Sequence, residues 1–157
     1  MIDHAQPVAQ VMARRVPRWV AVFGPVAKRM LAAGVPMGPN ALVTIRGRST
    51  GLPRTTPLAI IEQGGRRWIW SPWGDVQWVR NLRAAGQATI TVRGRTEEVR
   101  ATELDPAHRV EFFRTTLRAV AGSIPGGLLF IRAVDGVDLN HPEDAADGRT
   151  VFELHPA

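Results

Sequence analysis

Glycine-marked turns divide the middle of this chain into short strand-like segments. Runs rich in apolar, β-branched and threonine residues cover 42–46, 55–62, 67–71, 88–92 and 97–102, and a last run covers 150–154. Gly64-Gly65 and Gly94-Arg95 stand between successive runs and are hairpin signals. Short strands joined as hairpins, with helices added, predict an α+β fold built on a small antiparallel barrel rather than a doubly wound sheet.

Two helices are predicted among and after these strands. One covers 76–85, and a second begins at the N-cap and first-turn pair Asp105-Pro106 and continues to about residue 121. Residues 122–148 are predicted to be rich in loops.

A further helix is predicted near the N-terminus, over residues 8–33, with breaks offered by Pro17 and Pro25. Its apolar stripe consists of Trp19, Val22, Phe23, Val26 and Met30, and basic residues lie beside it. Such a helix packs over a barrel mouth or lies on an anionic membrane, and the packed arrangement is favoured because amphipathic helices usually face a core. We predict a single domain over 1–157, with 1–36 as an N-terminal helical extension.

Charge narrows the classes of partner. Twenty Lys and Arg residues against fourteen Asp and Glu residues give a net charge of +6, which favours an anionic cofactor, nucleic acid or membrane surface. Nucleic-acid binding would rest on this charge alone, because no helix-turn-helix or RNA-recognition signature is visible, so no nucleic-acid partner is predicted.

Composition also bears on metal binding and location. The chain has no cysteine, which removes disulfides and thiolate metal sites, and its four histidines lack metal-ligand spacing, so no metal is predicted. No apolar run approaches the roughly 18 residues of a membrane span, and no signal-peptide pattern is present. A cytoplasmic location is expected, with peripheral contact at the inner membrane face through the N-terminal helix as an option.

The turn after the first strand carries the chemistry of an anion site. Glycines allow close backbone approach, hydroxyls donate hydrogen bonds, and guanidinium groups fork onto phosphate or carboxylate oxygens. The candidate residues are Arg46, Gly47, Arg48, Ser49, Thr50, Gly51, Arg54, Thr55, Thr56 and Pro57. The alternative is a solvated hairpin whose arginines bind nothing.

Gly47-Arg48-Ser49-Thr50-Gly51 also matches G-x-S-x-G, the nucleophile elbow of serine hydrolases, with Asp135 and His155 following in the required order. That elbow requires a helix after the serine, whereas turn and strand residues follow here. We therefore do not predict a serine hydrolase.

A second candidate cluster lies where a predicted strand meets the 76–85 helix. Trp73 can stack on a flat ring or cap the core, and the amide of Asn81 is either a polar handle for a ligand or a helix-to-loop bond. The candidate residues of this cluster are Ser71, Trp73, Gly74, Trp78 and Asn81.

Four stretches match the motifs of a known family in the family's order: 44–58, 68–74, 78–84 and, more weakly, 149–154. Through them the chain resembles the deazaflavin-dependent nitroreductase family. These are split β-barrel oxidoreductases that use coenzyme F-420, and the resemblance covers residues 40–105 well. It implies a small antiparallel split β-barrel, flavin-reductase-like with Greek-key connections, and flanking helices. It also implies coenzyme F-420, an 8-hydroxy-5-deazaflavin with an anionic tail, as cofactor in preference to FMN.

The resemblance further maps function onto the two clusters. It places the cofactor's phosphate region at Gly47–Gly51 and Arg54, and the ring near Ser71, Trp73, Gly74, Trp78 and Asn81. It implies hydride transfer from the reduced cofactor to an activated alkene, a quinone or a nitro compound. The family often has lysine where this chain has Ser49, and some members use tyrosines near the substrate, whereas this chain has none. No catalytic residue is therefore assigned, and the proton donor is another side chain or water.

Two other functions remain open at this point. One is a non-catalytic split-barrel module that binds a cofactor or lipid, and the other is an FMN enzyme on the same barrel. A small-molecule hydride acceptor is the expected partner of the enzyme, which is expected to be a monomer or a homodimer.

Overall fold

A computed structural model describes residues 40–157, so the predicted N-terminal helix and extension lie outside the described residues. The strands of the described part are β1 Asn40–Arg46, β2 Pro53–Ala59, β3 Ile61–Gln63, β4 Arg66–Ser71, β5 Gln87–Val92, β6 Arg95–Glu103 and β7 Thr150–Pro156. Its α-helices are α1 Gln77–Ala85, α2 Pro106–Glu111, α3 Arg118–Gly122, α4 Gly127–Phe130 and α5 Pro142–Ala146. π-helical turns cover Phe112–Leu117 and Ile131–Asp135.

The strands form one sheet in the order β2-β1-β5-β6-β7-β4-β3, and every neighbouring pair is antiparallel. Its two edge strands, β2 and β3, are separated in the chain by Ile60 alone. Because one residue cannot span an open sheet, the two edges lie close together and the sheet curls into a barrel. The predicted antiparallel split barrel with flanking helices is confirmed.

One prediction about the edge strands is wrong. The sequence predicts a continuous strand over 55–62, but β2 ends at Ala59 and β3 begins at Ile61. The reason is a change of partner, because β2 pairs with β1 whereas β3 pairs with β4 at the opposite end of the sheet. Apolar periodicity does not reveal such an exchange, because both segments are strand-like in composition.

Two buried clusters stabilise the barrel and its helices. Inside the barrel, Val43 and Ile45 of β1 pack with Val79 and Leu82 of α1, which covers this face of the sheet. The second cluster lies under the later helices, where Trp70 of β4 meets the ring of Phe113 edge-on at a centroid distance of 5.4 Å. The helix α1 is therefore fixed against β1, next to the turn between β1 and β2.

The helix predicted to begin at Asp105-Pro106, after β6, is confirmed. The carboxylate of Asp105 accepts a hydrogen bond from the backbone N–H of His108 at 2.9 Å, which confirms the N-cap. Helical structure extends to Gly122, with the π-helical turn Phe112–Leu117 in its middle.

The loop-rich prediction for 122–148 is wrong, because α4, the π-helical turn Ile131–Asp135 and α5 lie within it. A buried side chain from outside these helices supports them. The guanidinium of Arg149 donates to the carbonyl oxygens of Ala145 at 2.9 Å and Gly136 at 3.3 Å. Composition does not reveal such long-range support for a segment rich in glycine.

Candidate functional site

The turn between β1 and β2 is closed by its own backbone. Gly47 N–H donates to the carbonyl oxygen of Leu52 at 2.8 Å, and Gly51 N–H donates to that of Gly47 at 2.9 Å. The φ of Gly51 is +70°, a conformation that favours glycine. A Cβ at Gly47 would lie 2.9 Å from the Thr50 hydroxyl oxygen. Both glycines are therefore needed for the shape of this turn, on which Ser49 and Thr50 are exposed.

Arg48 joins this turn to the helix α1. The side-chain oxygen of Asn81 accepts from the Arg48 backbone N–H at 3.2 Å and from guanidinium Nη1 at 2.8 Å. The same Nη1 donates to Oε1 of Gln77 at 2.9 Å. Asn81 is buried, with 7% of its surface exposed, and its amide forms a helix-to-loop bond, one of the two roles expected for it.

The partners of Arg48 are neutral, unlike those of Arg66 and Arg83 on the same barrel. Arg66 donates to Glu153 at 2.7 Å, and Arg83 donates to both Asp75 and Glu103. Within residues 40–157, by contrast, Arg48 and Arg54 have no carboxylate partner. The positive charge of the turn is thus left uncompensated by this part of the chain, as an anion site requires.

Strand register divides the other turn residues between two faces. Arg54 lies opposite Ile45 and Thr56 lies opposite Val43, so both share the face that α1 covers. The opposite face carries Arg46, Thr55 and Pro57. There the Thr55 and Thr44 hydroxyls lie 2.8 Å apart.

A groove of about 380 Å³ borders this outward face and includes Arg46, Gly51 and Pro53. Glu98 lines the same groove. Because its carboxylate shares the groove with Arg46, whereas Arg48 and Arg54 have no carboxylate partner within residues 40–157, the helix-side face is the more favourable surface for an anion.

The loop between β4 and α1 is shaped by buried polar groups. Ser71 is fully buried and its hydroxyl donates to the carbonyl oxygen of Gly74 at 2.7 Å, while Gly74 has a φ of +77°. The Asp75 carboxylate accepts from Arg83 and from the Thr150 hydroxyl, and these bonds hold its pKa below the usual range. Ser71 and Gly74 therefore form the turn, and the half-buried Trp73 lies between them.

The helix α1 begins without a capping side chain. Its N-cap residue, Val76, provides no side-chain acceptor, and the first turn contains no acidic residue. The first backbone N–H groups and the positive end of the helix dipole are thus available to an anion, beside the Gln77–Arg48 bond.

One aromatic residue of α1 lies next to this region. The half-buried ring of Trp78 packs against Phe152, with centroids 6.1 Å apart. Sequence reasoning found Trp78, Asn81 and Arg48 but missed Gln77. The i, i+4 spacing of Gln77 and Asn81, which puts both amides on one helix face, is the signal that could have found it.

Comparison with known proteins identifies the class. The model of the F-420H(2)-dependent quinone reductase family matches residues 25–123, more than half of the chain. A solved structure described as a domain-swapped dimer is 18% identical, with a TM-score of 0.53, and the match covers 88% of this chain and 98% of that one. A second, described as an F-420-H(2)-dependent reductase (FDR-A), is 17% identical with a TM-score of 0.51 and covers 74% and 94%.

The fold and the family model define a split-barrel oxidoreductase that depends on a deazaflavin cofactor. The chain belongs to the F-420H(2)-dependent quinone reductase family, and coenzyme F-420 is its cofactor.

The described residues fit such a molecule. Uncompensated guanidinium groups at Arg48 and Arg54 suit its anionic part. The half-buried ring of Trp78 offers an apolar surface for a flat ring.

Proposed function

We propose that this F-420-dependent reductase acts on an electron-poor small molecule, with a quinone favoured over an activated alkene or a nitro compound. The family's description supports the quinone. When bound, the reduced cofactor supplies the hydride, and the protein supplies binding, orientation and exclusion of water.

The observation that carries the cofactor-binding part of this proposal is the guanidinium of Arg48, which the side-chain amides of Asn81 and Gln77 hold in place. Its Nη1 is bound to two neutral oxygens, while Nε and Nη2 have no partner within residues 40–157. Arg48 is thus oriented before a ligand arrives and still offers donors to an anion, which lowers the entropic cost of binding. Arg54 lies on the same face, its side chain beside Gly47, and adds a second guanidinium.

We propose that the uncapped end of α1 extends this cationic surface toward the ring side, where Trp73 and Trp78 bound an apolar slot. Within it, Ser71 and Gly74 shape the backbone and do not react. The hydroxyl hydrogen of Ser71 is already donated to a carbonyl oxygen, and the chain contains no tyrosine. In this proposal the proton that accompanies the hydride therefore comes from water.

Two titrations of the full-length protein test the proposal. Oxidised F-420 is expected to bind more tightly than FMN, and reduced F-420 is expected to be oxidised when a soluble benzoquinone is added, which absorbance follows. Tighter binding of FMN would contradict the cofactor site. Tight binding of reduced F-420 without oxidation by quinones, alkenes or nitro compounds would instead favour a non-catalytic binding module.

We also propose a homodimer. The support is the split barrel shared with a solved structure that is described as a domain-swapped dimer. Light scattering of the purified protein tests this state, and a monomer mass across micromolar concentrations would contradict it.

A further inference from the structure

Four apolar side chains protrude from the surface around α4. We call them the apolar tip: Ile124, Leu128, Leu129 and Phe130. They make up four of the six large hydrophobic residues that are exposed within residues 40–157, and Leu129 and Phe130 are 71% and 62% exposed. Single exposed apolar residues are ordinary, but this concentration within seven residues marks an interaction surface.

The local structure explains why the tip projects. The chain turns at Gly126, whose φ is +73°, and α4 is one short turn that leaves its apolar side chains outside the core. No charged residue occurs between positions 124 and 131. The tip is thus an uninterrupted apolar projection.

Basic side chains flank this projection. Arg118 and Arg132 are exposed and line a slot of about 220 Å³ together with Leu128 and Leu129. Asp138 lines the slot as well, and the backbone N–H of Asn140, at 3.0 Å from its carboxylate, and the charge of Arg132 both lower its pKa. Arg118 donates to the carbonyl oxygen of Leu139 at 3.1 Å. Two guanidinium groups against one carboxylate leave the surroundings of the tip with a net positive charge.

We propose that the apolar tip inserts into the surface of an anionic membrane, with Arg118 and Arg132 at the level of the lipid headgroups. Apolar side chains bordered by arginines suit the boundary between headgroups and acyl chains. No helix within residues 40–157 has the length and apolarity to cross a membrane, so the contact is peripheral.

A second copy of the chain suits this surface less well. Four partly exposed side chains fall short of the roughly 800 Å² per partner that a stable protein interface buries. A symmetric contact through the tip would also bring the arginines of both copies together. Anionic headgroups complement the same arginines.

The tip is separate from the cofactor site. It adjoins the helices that cover the second buried cluster, whereas the β1–β2 turn and α1 belong to the barrel cluster. A change at the tip is therefore expected to leave F-420 binding intact. This makes the inference testable independently of the proposed function.

The test compares full-length variants by sedimentation with phosphatidylglycerol vesicles and with neutral phosphatidylcholine vesicles. The double variant L129Q/F130Q is expected to bind anionic vesicles about tenfold or more weakly, since burial of each such side chain has an effect of this size. Val92→Gln, which alters an exposed apolar residue at the end of β5, is the matched control and is expected to bind like the parent. Arg132→Gln is expected to weaken anionic binding and reduce its dependence on salt.

Two results would overturn the inference. The first is a parent protein that does not sediment with anionic vesicles, and the second is a double variant that sediments as well as the parent does. If that variant also has a lower melting temperature or an altered oligomer mass, the tip is assigned to a contact between protein surfaces. Whatever residues 1–39 contribute to binding is common to all variants.

Discussion

The side-chain oxygen of Asn81 accepts two hydrogen bonds from Arg48, one from its backbone N–H and one from its guanidinium. A single buried amide thus fixes both the path of the β1–β2 turn and the direction of the arginine on it. Because the amide is neutral, it orients the guanidinium without cancelling its charge. This pairing turns a flexible basic loop into a preorganised candidate anion site.

The substitution Asn81→Asp tests whether the cofactor site needs the charge of Arg48 as well as its position. The aspartate keeps an oxygen for both Arg48 donors but neutralises the guanidinium. We expect the melting temperature to be kept or raised, and F-420 affinity to fall at least roughly tenfold, because hydrogen bonds to charged groups contribute about 1.5–3 kcal/mol. Fluorescence titration and thermal unfolding measure the two effects. Parent-like affinity in this variant would show that the charge of Arg48 does not serve the cofactor.

Replacing Arg48 or Arg54 with alanine tests the cradle directly. Each change removes a charge-assisted fork and is expected to weaken F-420 binding at least roughly tenfold, again from a loss of about 1.5–3 kcal/mol. The measurement is a titration at two salt concentrations, since parent binding should weaken as salt screens partly exposed charges. Arg95→Ala, which removes the same charge from the exposed first residue of β6, is the control. A loss as large in the control would point to net charge rather than to a site.

Gly47→Ala tests the close backbone packing of the turn. Its Cβ would lie 2.9 Å from the Thr50 hydroxyl oxygen and 3.2 Å from the carbonyl oxygen of Leu52. We expect a loss of about 1–3 kcal/mol in the free energy of unfolding, as for other overpacked positions, and weaker F-420 binding. Chemical denaturation and titration measure both.

Gly122→Ala is the matched change for this test, because a Cβ there meets nothing within 4 Å. It lies in α3 and is expected to be neutral or stabilising by up to about 1 kcal/mol. If both substitutions change the free energy of unfolding by a similar amount, the close contacts around Gly47 do not determine the stability of the turn.

Asp135 is expected to make stability depend on pH. Burial raises the pKa of its carboxyl to about 6, and the charge of Arg149 opposes this only in part. The folded protein then holds a proton that the unfolded chain releases near its ordinary pKa of 3.8. The free energy of unfolding should therefore fall as pH rises from about 4 to about 6 and stay at the lower value above that range.

Asp135→Asn should remove this dependence. We expect the variant to be more stable than the parent by about 1–2 kcal/mol near pH 7.5, allowing for solvent screening of a partly exposed group. The two proteins should become similar at about pH 4, where the parent carboxyl is also protonated. Urea denaturation at both pH values measures the difference. A variant less stable than the parent near pH 7.5 would mean that the attraction to Arg149 outweighs the burial.

Local chemistry explains what could be predicted. The glycine turns, the Asp105 cap and the strand-like runs each depend on a few neighbouring residues, so they were predicted in type, with shifts at their ends. The same holds for the β1–β2 turn, whose arginines, glycines and hydroxyls lie together in the chain. The resemblance, which rests on motifs in the family's order, implies coenzyme F-420 as the cofactor, and the family match confirms it.

By itself, then, the sequence determined the antiparallel barrel, its F-420 dependence and the composition of the candidate cradle, because those properties depend on local pattern and on ordered motifs. The tertiary structure decided which residues meet. Asn81 and Arg48 are 33 positions apart, the sheet edges are joined at Ile60, and Arg149 supports helices from outside them. The physical reason is that a long-range hydrogen bond or a change of strand partner depends on how the chain closes in space, which no local spacing encodes.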